Sequence, residues 1–157
     1  MQAAPEHPTI VIRQAALADL DLIVPLFDQY RQFYKHASDL DGARAFLRER
    51  FNHGESVIFI ALDEGAGFGF AQMYPLFSSG SMARKFLLND LFVAECGRKR
   101  GIGKALLDAA ADYGRALGAV SLTLSTAHTN DTAQSLYRAN GWRPEEDYMT
   151  FNLPLRG

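Results

Sequence analysis

With 157 residues, 48% of them apolar and 22% charged, the chain has the size of one globular domain that buries a continuous core without disulfide or metal staples. Its formal net charge of −2 excludes a broadly basic nucleic-acid surface, and no apolar run approaches the ~18 to 20 residues of a membrane span. A lone Cys96 excludes an internal disulfide, and the scattered His7, His36, His53 and His128 give no metal-ligand spacing. The expectation is a single domain over 1–157 in a reducing, cytoplasmic setting, with no metal, nucleic acid or membrane among its partners. The opening MQAAPEHPTIVIR fits this, having neither the basic start nor the apolar stretch of a secretion signal.

In chain order, TIVIRQ (9–14) alternates and is β-branched, which predicts a first strand. Asp19 precedes a helix in which Leu22, Leu26, Tyr30, Phe33 and Tyr34 recur at helical spacing, with Pro25 as a kink. A second helix over 41–51 places Ala43, Phe46, Leu47 and Phe51 on one side. SVIFIALD (56–63) and GFGFAQMYP (67–75), joined through a glycine turn, predict a hairpin. KFLLNDLFVA (85–94) follows as a strand with Asn89 and Asp90 in its middle, where polar residues want a reason. Ile102, Leu106, Ala109, Tyr113 and Leu117 mark a helix ended by Gly118, and VSLTLST (120–126) reads as the next strand. Asn130 and Asp131 offer caps for TAQSLYRAN (132–140), which Gly141 closes, and YMTFNLPL (148–155) alternates as a last strand. A right-handed crossover makes the strands flanking the 101–117 helix parallel in a sheet otherwise antiparallel, an α/β fold of the α+β mixed-sheet kind.

RKRGIGK (98–104) concentrates Arg98, Lys99, Arg100 and Lys104 around Gly101 and Gly103 at the start of a helix. Helix N-termini expose unpaired N–H groups and partial positive charge, and glycines let a phosphate approach closely. A P-loop would need glycine at Ile102 and a hydroxyl residue at Ala105; a dinucleotide fingerprint would need glycine at Leu106. What remains is Arg98-x-x-Gly101-x-Gly103 between a strand and an amphipathic helix.

Together with NDLFV (89–93), TNDTAQSLYRANGW (129–142) and weaker likeness in YRQFY (30–34), this turn resembles the GNAT superfamily of acetyl-CoA-dependent N-acetyltransferases, notably small polyamine and histone acetyltransferases. The resemblance implies a three-layer fold whose mostly antiparallel sheet contains one splayed parallel pair. It implies that Arg98, Lys99, Arg100, Gly101, Ile102, Gly103 and Lys104 form the coenzyme A pyrophosphate turn, and that the backbone of Leu91, Phe92 and Val93 pairs with the pantetheine arm. Lys99 departs from the glycine frequent there in close relatives. The resemblance also places Asn130 near the coenzyme, makes Tyr137 the general acid at sulfur, and suggests a homodimer formed through 148–154.

Acetyl transfer to an amine needs a neutral nucleophile and a proton for the departing thiolate. A phenol, with a pKa of ~10 against ~8.5 for a thiol, holds a proton at neutral pH and can share it as sulfur leaves. Tyr137, two helical turns after Asn130, suits that task. Periodicity alone favours a core aromatic for Tyr137 and a plain helix cap for Asn130; the motif match favours the site roles. Asp90 is the carboxylate nearest the coenzyme strand, either a base or a hydrogen-bonded structural residue. Asn89 cannot act as a base, although polyamine acetyltransferases tend to have glutamate there. Strict alternation puts Asn89, Leu91 and Val93 on one face and Asp90 and Phe92 on the other, so at most one of Asn89 and Asp90 faces a given cleft. Tyr30, Arg31 and Tyr34, with Asn89, are candidate acceptor contacts, though Tyr30 and Tyr34 also fit a packing stripe. Cys96 is rejected as a nucleophile because no histidine is evident to activate it. The leading expectation is acetyl-CoA-dependent transfer to a primary amine, with a non-catalytic acyl-CoA-binding module as the alternative.

Overall fold

The computed structural model describes residues 10–157, which fall into two compact units, one ending at Ser125 and the other spanning Thr126–Gly157. Thr9 and His7 lie outside the described residues.

In the first unit, β1 (Ile10–Gln14), β2 (Val57–Asp63), β3 (Ala66–Ser78), β4 (Ala83–Val93) and β5 (Leu122–Thr123) form one sheet in that order. Neighbours are antiparallel except for the parallel β4–β5 pair. Helices α1 (Leu20–Phe33) and α2 (Leu40–His53) cover one face, where Phe27 of α1 lies 6.2 Å from Phe70 of β3. Helix α3 (Ile102–Ala116) covers the other, its Tyr113 ring 5.7 Å from both Phe59 and Phe86. The mixed sheet expected from the element order and the three layers implied by the resemblance are therefore both present.

The elements form for local reasons. Glu64 and Gly65 both take positive φ (49° and 80°), the backbone that a two-residue hairpin turn of matching twist requires. Asp39 caps α2 by accepting from the Gly42 N–H at 2.9 Å. Arg13 on β1 makes a two-pronged pair with Asp19 (2.7 and 2.8 Å), which also accepts the Ala16 N–H at 2.8 Å and so pins the chain entering α1. Those hydrogen bonds, led by the Arg13 guanidinium, hold the Asp19 carboxyl down to about 2. Pro25 sits within α1, which continues through it to Phe33. Ile23, Leu47, Ile58, Ile60 and Phe70 anchor the core between α1, α2 and the sheet, each contributing ~1.5 to 3 kcal/mol through burial.

Two strand expectations change. Of 120–126, only Leu122 and Thr123 are strand, opposite Phe86 and Leu87. Two positions past that pairing β4 carries an extra residue: Gln72 pairs with Asp90 while Met73 pairs with Leu88, leaving Asn89 as a β-bulge. Bulges bend and twist their strand, which accounts for a parallel pairing that ends at Leu87. The second change concerns 148–155, where no strand forms: alternation supplies an apolar edge, but a strand also needs a partner for its backbone, and none pairs here among the described residues. Tyr148, Met149, Phe151, Leu153 and Leu155 are 78–90% exposed.

In the second unit, α4 (Asp131–Ala139) is capped by Asn130, whose side-chain oxygen accepts the Ala133 N–H at 3.2 Å. Gly141 follows it at φ 88°, the left-handed conformation at which helices commonly stop.

Candidate active site

The basic turn opens α3. Gly101 stands at the helix N-cap with φ 74°, a conformation glycine adopts without penalty, and Lys99 is also left-handed at φ 62°. The first N–H groups of α3, at Ile102, Gly103 and Lys104, thus point out of a helix end, as an anion requires. Ile102 itself is buried, so its contribution to such a site is its backbone. The four cations are not equivalent. Arg100 is bound to Asp63 at 2.6 Å and lies over the Phe68 ring, tying the turn to the β2–β3 hairpin. Lys104 pairs with Asp108 one helical turn on, an exposed pair worth only ~0.3 to 0.5 kcal/mol and easily exchanged. Arg98 reaches back to the Val93 carbonyl at 3.5 Å, and Arg98 and Lys99 are both solvent-exposed.

Just upstream, Leu91, Phe92 and Val93 end β4, paired with Ala71, Phe70 and Gly69 of β3. Beyond Leu87 the other edge of β4 has no strand partner among the described residues, so its N–H and C=O groups can serve an extended ligand. The residues thus fit a phosphate-bearing molecule whose linear arm runs along a strand.

The bulge corrects the expected division of β4. Asp90 and Phe92 face α1, with Phe92 6.5 Å from Tyr30, whereas Phe86 upstream faces α3. Asn89, the unpaired residue, lies on the α1 side with Asp90 rather than opposite it, and both line one cavity of about 530 Å³. Two adjacent residues share a face because the bulge inserts a residue into one strand only.

Asp90 is 1% exposed and accepts hydrogen bonds from Gln72 Nε2 (2.5 Å) and Asn89 Nδ2 (2.7 Å). Burial pushes its carboxyl above the usual carboxylate range, with those donors and the nearby Tyr30 hydroxyl pulling the other way. Tyr30 donates to the Asn89 carbonyl at 3.2 Å. Burial, then the charge of Asp90, raises the Tyr30 and Tyr74 phenols, so both stay protonated around neutrality. Tyr34 stands edge-on to Tyr30 at 5.0 Å. Arg31 is held by the Ala37 carbonyl (3.1 Å) and lies 3.9 Å from Asp28. Burial of Asp28 is outweighed by the Asp39 N–H, the Ser38 hydroxyl, Arg31 and Gln32, which keep it below its ordinary value. The predicted Tyr30, Arg31, Tyr34, Asn89 and Asp90 therefore meet around one cavity.

Sequence reasoning missed Phe27, Phe46, Tyr74 and Asp39, which line the same cavity, and Gln72, which holds Asp90. Phe70, Gln72 and Tyr74 alternate on one face of β3, so a polar Gln72 in a central strand was the available signal.

In the second unit, Tyr137 lies on α4, half-buried, with its ring 6.1 Å from Trp142. Asn130 caps the same helix. Among the described residues, no group of three or more His, Cys, Asp or Glu is arranged to hold a metal, and no helix is long and apolar enough to cross a membrane.

The profile of the Acetyltransferase (GNAT) family matches residues 23–142, taking in the cavity, the turn and α4. The chain belongs to the GNAT family. As a GNAT chain it is an N-acetyltransferase, and the family uses acetyl-CoA as its acyl donor. The uncharacterized N-acetyltransferase YhfO of Bacillus subtilis (strain 168) is 50% identical over 147 residues, 92% of this chain and 99% of its own. A probable acetyltransferase of Haemophilus influenzae is 34% identical over 141 residues, covering 87% of this chain and 92% of that one. A crystal structure of a probable acetyltransferase matches with TM-score 0.90 at 39% identity, over 94% of this chain and 99% of that one. An aminoglycoside N-acetyltransferase in complex with CoA matches with TM-score 0.81 over 96% and 99% of the two chains; at 23% identity this likeness concerns the GNAT fold alone.

Proposed function

We propose that this GNAT chain transfers the acetyl group of acetyl-CoA to a primary amine, on a small molecule or a lysine side chain, by direct attack. The observation that carries this reading is Asp90: a buried carboxylate on the strand that ends in Leu91–Val93, opening into an aromatic cavity. An amine arrives as an ammonium ion and must lose a proton before its nitrogen can attack. Asp90 takes that proton, and its raised pKa brings it closer to the task than an exposed aspartate would be. The nitrogen bonds to the thioester carbon, the carbon–sulfur bond breaks, and the thiolate receives a proton from Tyr137. The free edge of β4 beyond Leu87 carries the donor's arm, and the amides of Ile102, Gly103 and Lys104, with Arg98 and Lys99, carry its phosphates. Arg100 serves by fixing the turn through Asp63. In this reading Tyr137 is the general acid and Asn130 a coenzyme contact, and 1–157 is one N-acetyltransferase domain.

The exposed apolar residues of 148–155 support a homodimer in which a second copy covers them. A cytoplasmic setting agrees with a lone exposed cysteine and a thioester donor. The test is thiol release from acetyl-CoA across polyamines, amino acids, aminoglycosides and lysine peptides, with donor binding measured by calorimetry. Turnover on an amine confirms transfer; tight donor binding without turnover on any amine favours a non-catalytic acyl-CoA-binding module. Sedimentation of the wild type and Phe151→Lys checks the dimer, which the substitution should weaken.

A further inference from the structure

The cavity lining is graded in exposure: Asp90 is buried, whereas Tyr34 is 46% and Phe46 39% exposed. The Phe27 and Phe46 rings stand 5.7 Å apart and nearly parallel, at 8°, with the Arg50 guanidinium 4.4 Å over Phe46 and Tyr34 edge-on to Tyr30. Aromatic faces attract a desolvated ammonium and also pack against flat apolar groups. The wall therefore suits a cation joined to an aromatic body.

The charges along it are arranged against a second cation. Besides Asp90, the only carboxylate on the lining among the described residues is Asp39, whose Oδ1 already caps α2 through Gly42. The nearby Asp28 is consumed by Ser38, Gln32 and the Asp39 N–H at 2.7 to 3.0 Å. Arg31 lines the same wall and is held there by Ala37 and Asp28, with His36 beside it. Asp28, 3.9 Å away, offsets part of the Arg31 charge, but a second ammonium along the acceptor would still lie beside that guanidinium and find the Asp28 oxygens already hydrogen-bonded, which disfavours it.

We infer that the acceptor is a primary amine bearing one positive charge on an aromatic body, an arylalkylamine, with its nitrogen at Asp90 and its ring between Tyr34 and Phe46. This rests on the acetyl-transfer reading only for what happens to the nitrogen. The binding of such an amine does not depend on it.

The probes are 2-phenylethylamine, spermidine and kanamycin, each followed by thiol release from acetyl-CoA and, separately, by calorimetric binding. The expected result is kcat/KM for 2-phenylethylamine at least about tenfold above the other two. Phe46→Ala and Tyr34→Ala should each raise its KM severalfold without changing the KM for acetyl-CoA. Both residues are well exposed, so a folding failure in one variant leaves the other as a test. Arg31→Gln should narrow the gap between spermidine and 2-phenylethylamine. Higher kcat/KM for spermidine or kanamycin overturns the inference, as does an unchanged KM for 2-phenylethylamine in both aromatic variants. If 2-phenylethylamine binds in a Phe46-dependent way but no amine is acetylated, the inference stands and the acetyl-transfer reading falls. If 2-phenylethylamine neither binds nor reacts while another amine is acetylated, transfer stands and this inference falls.

Discussion

Up to Ser125, apolar periodicity ends in buried side chains: Ile23 and Leu47 on the helices and Phe70 in the sheet are fully enclosed. In Thr126–Gly157 a comparably regular pattern, from Leu136 and Tyr137 to Phe151 and Leu153, leaves no residue buried. The difference separates two kinds of selection on sequence. In the first unit an apolar residue is fixed by the volume around it, whereas in the second Tyr137 is only half-buried, with Trp142 6.1 Å away, and its identity can answer to chemistry or to a partner. Substitutions should therefore dissociate: those in the first unit register in stability, those on α4 in turnover.

The largest expected effect tests this directly. Tyr137→Phe should lower kcat by ~10²- to 10⁴-fold, the range of a lost proton donor, with the melting temperature nearly unchanged. A fall in melting temperature without a fall in kcat would break the comparison. Phe70→Ala should cost ~3 to 5 kcal/mol in urea denaturation, the usual result of emptying an aromatic core site. Asp90→Asn sharpens the contrast because it lies where both selections meet. Turnover should drop by about 10²-fold, and the acid limb of the pH–rate profile should disappear. Because burial raises the Asp90 pKa in the folded state, its ionisation opposes folding, and native stability should decline as pH rises through that pKa. The asparagine variant should lose this decline, as thermal melts from pH 4 to 8 would reveal.

The smallest effect concerns Asp19, a carboxylate held down rather than up. Its stabilising contribution is complete above the unfolded value of 3.8 and disappears as pH falls through about 2. Asp19→Asn should cost ~2 kcal/mol at neutral pH, as expected for hydrogen bonds to a charged group, and nothing near the acid end. Urea titrations at pH 7 and pH 2 would measure the difference.

Much of the first unit was legible because its signals are local. The positive-φ hairpin turn and Gly101 before α3 act within a few residues of themselves, as does the Asn130 cap in the second unit. The Asn89–Asp90 pair announced a site by its polarity alone. Its geometry was not legible, because a bulge depends on register with β3, and strict alternation assigned Asn89 to the wrong face. The cavity was half visible for a similar reason: Tyr30, Arg31 and Tyr34 lie in one segment, while Phe46 and Tyr74 come from elements that only the fold brings to it. Strands at the end of the chain failed most clearly. Alternation at 148–155 states which side chains are apolar, but strand formation is a property of two backbones.

Asn89 also makes length itself a functional variable. As the supernumerary residue of its strand, it could be removed with every neighbour left on its present face, so a chain one codon shorter would retain its core. Straightened, β4 could extend its pairing with β5 past Leu87 and occupy the edge proposed for the donor. A single-residue deletion at this point would separate folding from donor binding, which point substitutions at the same position, leaving the spacing intact, would not achieve.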